Sequence, residues 1–288
     1  MKMINKIKSE LLNVGLKFIS IDEKLIRLFL ETAPSNVNKV VIVPTTKMVM
    51  KKVVGKLDKK AKKGYVYNGF INGVKVSVIR CHIGGPNMAI IMEALQRTEA
   101  EKIIRIDFCG GIAGLENDLH GAYVIIPKRA YSGHATSPQY ILQNKTLSNT
   151  LESVENPLGT FLELTTGSHK IYISKPHSRL TELLYAQGRN IAPSHVKKVG
   201  LWTTDALFCE TDTFQKAMKS IDVEAIDMES SIMFLLGELY NLQTAAILSI
   251  SDLPGTEYDM LNSNKVHPDM ENGIDRAIKI LVETLPKL

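Results

Sequence analysis

At 288 residues with 44% hydrophobic content, the chain is long enough to bury the core of one large domain, which excludes disorder as its default state. Its three cysteines, Cys81, Cys109 and Cys209, are odd in number, widely spaced and set in no metal-ligand pattern, so reduced buried thiols in the cytoplasm are expected rather than a disulfide framework. The formal net charge is +5, no apolar run approaches the roughly 20 residues that span a bilayer, and the lysine-dotted start has no signal-type apolar core, so neither a membrane nor secretion is expected.

In chain order, the first 35 residues carry apolar positions at Ile4, Ile7, Leu11 and Leu12 and again at Leu25, Ile26, Leu28 and Leu30. They predict a helical extension ahead of a main domain over residues 36–288. KVVIVP, residues 39–44, predicts a short buried strand. Between positions 47 and 63 eight lysines face one acid, Asp58. Such a cluster is the kind that attracts phosphate backbones, but Met48, Met50, Val53, Val54 and Leu57 are interleaved at helical spacing, so an amphipathic helix with a solvated basic face is the preferred reading and nucleic acid is not an expected partner. Residues 64–81 predict a hairpin turning at Asn72-Gly73.

In IGGPNMAIIMEALQRT, Gly84 and Gly85 predict a strand-to-helix turn, Pro86 stands where a first helical residue is tolerated, and Met88, Ile91, Met92 and Leu95 form one stripe. The segment EKIIRI enters a strand that exits through Gly110, Gly111 and Gly114, and GAYVIIPKRAY supplies another. Further strands are expected at 170–174, 198–203, 223–227 and 244–250, with helices at 229–240 and 270–285. This alternation predicts an α/β fold, a single domain of three layers with a central mixed β-sheet flanked by helices. Ligands in such folds gather beyond the carboxyl ends of strands. That rule selects the turns IGGPN, DFCGG, DMESS and SDLPG.

Those turns hold the residues able to carry chemistry. DMESS places Asp227 and Glu229 at a strand end that leads into an apolar helix, where an acid either caps the helix or serves a ligand. SDLPG places Asp252 after Ser251, as an Asx-turn former or a proton donor. Arg105 stands inside an otherwise apolar strand and needs an anionic partner, a carboxylate or a ligand phosphate.

Taken in order, IGGPNMAIIMEAL, IIRIDFCGGI, GAYVIIPKRA, VGLWTTDALFCE, IDMESS and ILSISD resemble the purine nucleoside and uridine phosphorylase superfamily. The resemblance implies a phosphorylase-like α/β fold and phosphorolysis of a nucleoside N-glycosidic bond, with a purine nucleoside as the leading substrate. It implies that Glu229 accepts hydrogen bonds from the ribose hydroxyls, that Met228 packs on the sugar, that Phe208 stacks near the base, and that Asp252 beside Ser251 meets the purine. Asp227 is placed with them as a substrate-binding candidate. Arg105 is implied as the phosphate ligand, with phosphate as a co-substrate and no metal or organic cofactor. A homo-oligomer built from dimers, trimeric or hexameric, is also implied.

The chain departs from the family's pattern twice. The first phosphate loop normally reads Gly-Asp-Pro-x-x-Arg, and here Thr45, Thr46 and Lys47 follow the first strand, leaving them as the substitutes. In the second, Asp107 and Phe108 replace the Gly-Ser or Gly-Thr that would bond phosphate. A uridine phosphorylase, a nucleosidase using water and a non-catalytic relative therefore remain as alternatives.

Overall fold

Val40, Val41, Ile42 and Val43 are buried at every position, as β-branched residues in a central parallel strand must be. The computed structural model describes residues 19–112, 120–161 and 169–288. Strand β1 (Val40–Val43) lies between β4 (Val74–Ile79) and β5 (Lys102–Gly111), parallel to both. Outside β4 come β3 (Val66–Ile71) and β2 (Asp58–Lys63), both antiparallel. On the other side, β5 pairs with β10 (Ala225–Asp227) and with β11 (Gln243–Asp252). Strand β11 reaches on to β6 (Val124–Gly133), β6 to β9 (Val196–Thr204), and β9 back to β10. The sheet therefore closes on itself through β5, β11, β6, β9 and β10. Strands β8 (Lys170–Ser174) and β7 (Ser153–Glu155) extend it beyond β6.

Helices cover both faces, which is the three-layer α/β arrangement expected. On one face, α1 (Ile21–Leu30) packs on α3 (Gly85–Leu95), and α3 on α9 (Ser230–Leu239), while the short α4 (Thr136–Gln143) and α5 (Lys145–Thr150) lie beside them. The other face carries α2 (Lys47–Val54), α7 (Ser178–Ile191) and α10 (Met270–Thr284). The remaining helices are α6 (Leu158–Phe161) and α8 (Asp212–Lys219). Among them, α9 is buried at eight successive positions from Ser230 to Gly237, so its periodicity is nearly all apolar. No helix among the described residues is long and apolar enough to cross a membrane.

The structure corrects two expectations. The lysine-rich segment is helical only to Val54, and Gly55 ends it; Asp58–Lys63 is instead an edge strand exposed at every residue. The period of the apolar residues stops at Leu57, and the charges beyond it suit an edge, where lysines block pairing with another sheet. Cys81 and Cys109 are buried free thiols, but Cys209 is exposed in a 3₁₀ turn. The hairpin turn is as expected, with Asn72 and Gly73 both at positive φ, 49° and 79°. Of the predicted exit glycines, Gly114 lies outside the described residues, as does most of the N-terminal extension.

A second packing constraint sits at the end of β6. Gly133 lies against the buried Trp202 indole, and a Cβ added there would collide with Trp202 Cε2. Gly133→Ala is expected to destabilise the fold by about 1–3 kcal/mol or more, read as a lower denaturant midpoint at unchanged slope. A midpoint equal to that of the parent would show that the indole moves aside freely.

Candidate active site

Strands β1, β5 and β11 run parallel, so their carboxyl ends converge; β10 runs against β5 and brings Asp227 back beside it. Arg105 therefore projects from within β5 toward the start of α9. It is 2% exposed. Its Nη1 lies 3.0 Å from Asp227 Oδ2, and its Nη2 donates to Glu229 Oε2. Burial works against the guanidinium's charge, but the carboxylates of Glu229, Asp227 and Asp107 outweigh it and raise its pKa.

Both oxygens of Asp227 accept hydrogen bonds. Thr203 Oγ1 donates to Oδ1 at 2.8 Å, and the Ser230 N–H and hydroxyl donate to Oδ2 at 2.9 and 2.5 Å. It caps α9 and fixes Arg105. Glu229 also ties α9 to the next turn, because the Gly84 N–H donates to Oε1 at 2.7 Å. Gly84 is at φ 104°, a conformation that L side chains rarely adopt, and it aims this N–H directly before α3. Burial pushes the Glu229 carboxyl up, with Arg105 pulling the other way.

The turn from β1 into α2 meets a third carboxylate. Thr46 caps α2 by accepting from the Val49 N–H, and the N–H groups of Thr45 and Thr46 donate to Asp107 Oδ2 at 2.6 and 2.7 Å. The Phe108 N–H donates to Oδ1 at 2.9 Å. Asp107 is 2% exposed.

Further along β5 the chemistry changes. A Cβ on Gly110 would lie 3.8 Å from both Asp252 Oδ2 and Glu210 Oε2, so two acids approach that glycine from different elements. Burial raises the Asp252 carboxyl, against a 2.5 Å hydrogen bond from the Ser251 hydroxyl. Glu210 is pushed up to about 8, by burial first and then by the charges of Asp252 and Asp259. A pair of this kind keeps a proton near neutral pH, as general acids require. Arg105 lies five residues before Gly110 on β5, and the cation and the acid pair face one cleft.

These groups line a single cavity of about 310 Å³, with Met228, Met260 and Met270 among its apolar walls. That volume is at the low end of the roughly 300–1,000 Å³ usual for small-molecule sites. Of the residues singled out from sequence, the cavity unites Arg105, Thr45, Thr46, Asp227, Met228, Glu229, Ser251 and Asp252. It does not include Lys47, whose side chain is exposed at the start of α2, nor Phe208. Phe208 is 84% exposed, because the 3₁₀ turn Leu207–Cys209 lines the cavity with Leu207 instead. Sequence reasoning missed Glu210 and the role of Asp107. A charged residue in the apolar strand was the available signal for Asp107; Glu210 had none, since it sits in a polar loop.

The histidines have structural settings. His134 is buried, with Nε2 at 2.8 Å from Ser231 Oγ and 2.9 Å from Ser137 Oγ. His267 packs on Tyr258, and His82 lines a different cavity. Among the described residues no group of three or more His, Cys, Asp or Glu is arranged to hold a metal ion.

With this geometry in place, comparison with known proteins gives a consistent answer. A family model of the phosphorylase superfamily matches residues 43–286. The chain is similar to a guanosine phosphorylase of Halorubrum lacusprofundi, 23% identical over 225 residues, covering 77% of this chain and 80% of that one. It is also similar to a DeoD-type purine nucleoside phosphorylase of Brevibacillus brevis, 28% identical over 65% of this chain and 67% of the other. Its fold matches a solved Trypanosoma brucei nucleoside phosphorylase that shows uridine phosphorylase activity, with a TM-score of 0.68 at 16% identity, covering 89% and 96% of the two chains.

The acid pair gives a pH prediction. Glu210 is raised from 4.5 to about 8 in the fold, so its contribution to stability is complete below pH 4.5 and is lost as pH rises through about 8. Unfolding free energy measured by denaturant is expected to fall between those values, and Glu210→Gln, which stays neutral, is expected to flatten the fall. A Gln variant with the parent's slope would take Glu210 out of the buried pair.

Proposed function

The chain belongs to the phosphorylase superfamily, and on that footing we propose that it cleaves the N-glycosidic bond of a purine nucleoside and transfers the ribosyl group to an oxygen acceptor, phosphate or water. The observation that carries this reading is the placement in one cavity of a buried acid, Asp252, beside Glu210, together with the Arg105-anchored carboxylate of Glu229.

The bond breaks through a sugar with oxocarbenium character, and the leaving base takes an electron pair that a proton must neutralise. Asp252 supplies that proton, and Glu210 beside it keeps the pair from ionising fully. A purine suits such a donor because it presents a ring nitrogen away from the glycosidic bond. Glu229, fixed by Arg105 and Gly84, keeps lone pairs free for the ribose hydroxyls and places negative charge near the cationic sugar. Met228 packs against the sugar, and Met260 and Met270 help to keep water from the base. Asp227, which also lines the cavity, positions Arg105 and α9.

Asp252→Asn is expected to lower turnover of inosine, adenosine and guanosine by about 10²–10⁴-fold with little change in KM. Steady-state base release checks this, and parental turnover would remove Asp252 from the chemistry. Glu229→Ala is expected to raise KM for every nucleoside, whatever its base; a variant that loses one base only would contradict the role in sugar binding.

A further inference from the structure

The head of α2 is built as an anion cradle. The N–H groups of Thr45 and Thr46 and the N–H of Phe108 converge on one place, which is where a phosphate would be held at a helix N-terminus. That place is filled by the chain's own Asp107. The only cation lining the cavity among the described residues, Arg105, is already shared between Asp227 and Glu229. Three carboxyl groups thus face one guanidinium, and a phosphate dianion brought here would find its donors already taken.

Two polar groups at the same place remain unsatisfied. Thr45, 3% exposed, lines the cavity, and its Oγ1 has no hydrogen-bond partner among the described residues; the same holds for Nε of Arg105. Buried polar atoms of this kind are normally paired by protein or by water. A small neutral oxygen ligand satisfies them without adding charge.

We infer that Asp107 is a built-in occupant of the phosphate position and that the ribosyl acceptor is water, held between Asp107 and Thr45; this rests on the glycosidic reading above. In the step, the water oxygen bonds to the anomeric carbon as the carbon–nitrogen bond breaks. The electron pair of that bond leaves with the base, which takes the proton of Asp252. The proton lost by the water passes to Asp107 and returns to Asp252 through solvent. The products are free base and ribose.

The test uses the full chain in phosphate-free buffer and then in millimolar phosphate. Base release from purine nucleosides is followed by chromatography, with the sugar product identified as ribose or ribose 1-phosphate. Release without phosphate, changing by no more than about twofold when phosphate is added, and yielding ribose, is the expected result. Release that requires phosphate and yields ribose 1-phosphate would overturn the inference.

A second measurement titrates inorganic phosphate into the parent and Asp107→Gly by calorimetry and by thermal shift. The parent is expected to show no binding. The glycine variant, with the cradle emptied, is expected to bind at least about tenfold more tightly than the parent, the scale of one charge-assisted contact. Saturable binding to the parent in the millimolar range or below would sink the inference even if Asp107→Gly fails to fold. If no nucleoside releases base under either condition, the glycosidic reading falls and hydrolysis falls with it, while the phosphate titration still decides whether Asp107 closes the cradle.

Discussion

A single buried guanidinium organises this molecule. Arg105 is removed from water inside a strand of aliphatic residues, and the cost of burying that charge is several kcal/mol unless it is fully paired. Asp227 and Glu229 pair it, and each does something more. Asp227 caps α9 and receives Thr203 from β9, while Glu229 receives the Gly84 N–H at the head of α3. Five elements are therefore tied to one cation. The network fixes Glu229 within hydrogen-bond geometry at the wall of the cavity, and such fixing is what the proposed sugar recognition requires.

The rest of the cavity follows from how strands end. The strands that meet at the cavity bring acids to it, Asp107 from within β5 and Asp227 and Asp252 from the ends of β10 and β11, joined by Glu229 and by Glu210 from a loop. Burying so many carboxylates is tolerated because they divide into two groups. Those near Arg105 are held by a cation and by N–H donors. Those near Gly110 have neither in comparable number, and burial pushes both upward, Glu210 to about 8. One cleft thus joins a cation-anchored cluster of carboxyl groups to a pair of acids whose proton affinity burial raises.

That arrangement also explains why the two departures from the family's sequence pattern belong together. Losing the glycine and arginine of the first loop removes phosphate donors; gaining Asp107 places a carboxylate on the N–H groups that remain. The backbone N–H groups of Thr45 and Thr46 are paired by Asp107, so neither they nor the buried carboxyl is left without a partner. Together they are complementary, and Thr45 and Thr46 stand at the junction.

Much of this was legible in the sequence because it depends on local pattern. Apolar β-branched runs marked β1 and β11, Asn72-Gly73 marked the hairpin, the strand-end rule put Glu229 and Asp252 at one edge, and its charge within an apolar strand marked Arg105. Local pattern also misled where two periods abut: the lysine segment passes from helix to edge strand at Gly55, and charge alone carries no period. The tertiary structure alone decided which partners the charges take. The sequence left Arg105 needing an anion without saying whether a ligand or the chain supplies it, showed Asp107 only as a missing hydroxyl, held no sign of Glu210, and let Phe208 stand as a base-stacking residue although its turn presents Leu207 to the cavity. The reason is physical: secondary structure follows from the spacing of neighbours along the chain, whereas pairing, burial and proton affinity depend on groups far apart in it, 145 residues for Gly84 and Glu229, which only the closing of the sheet brings together.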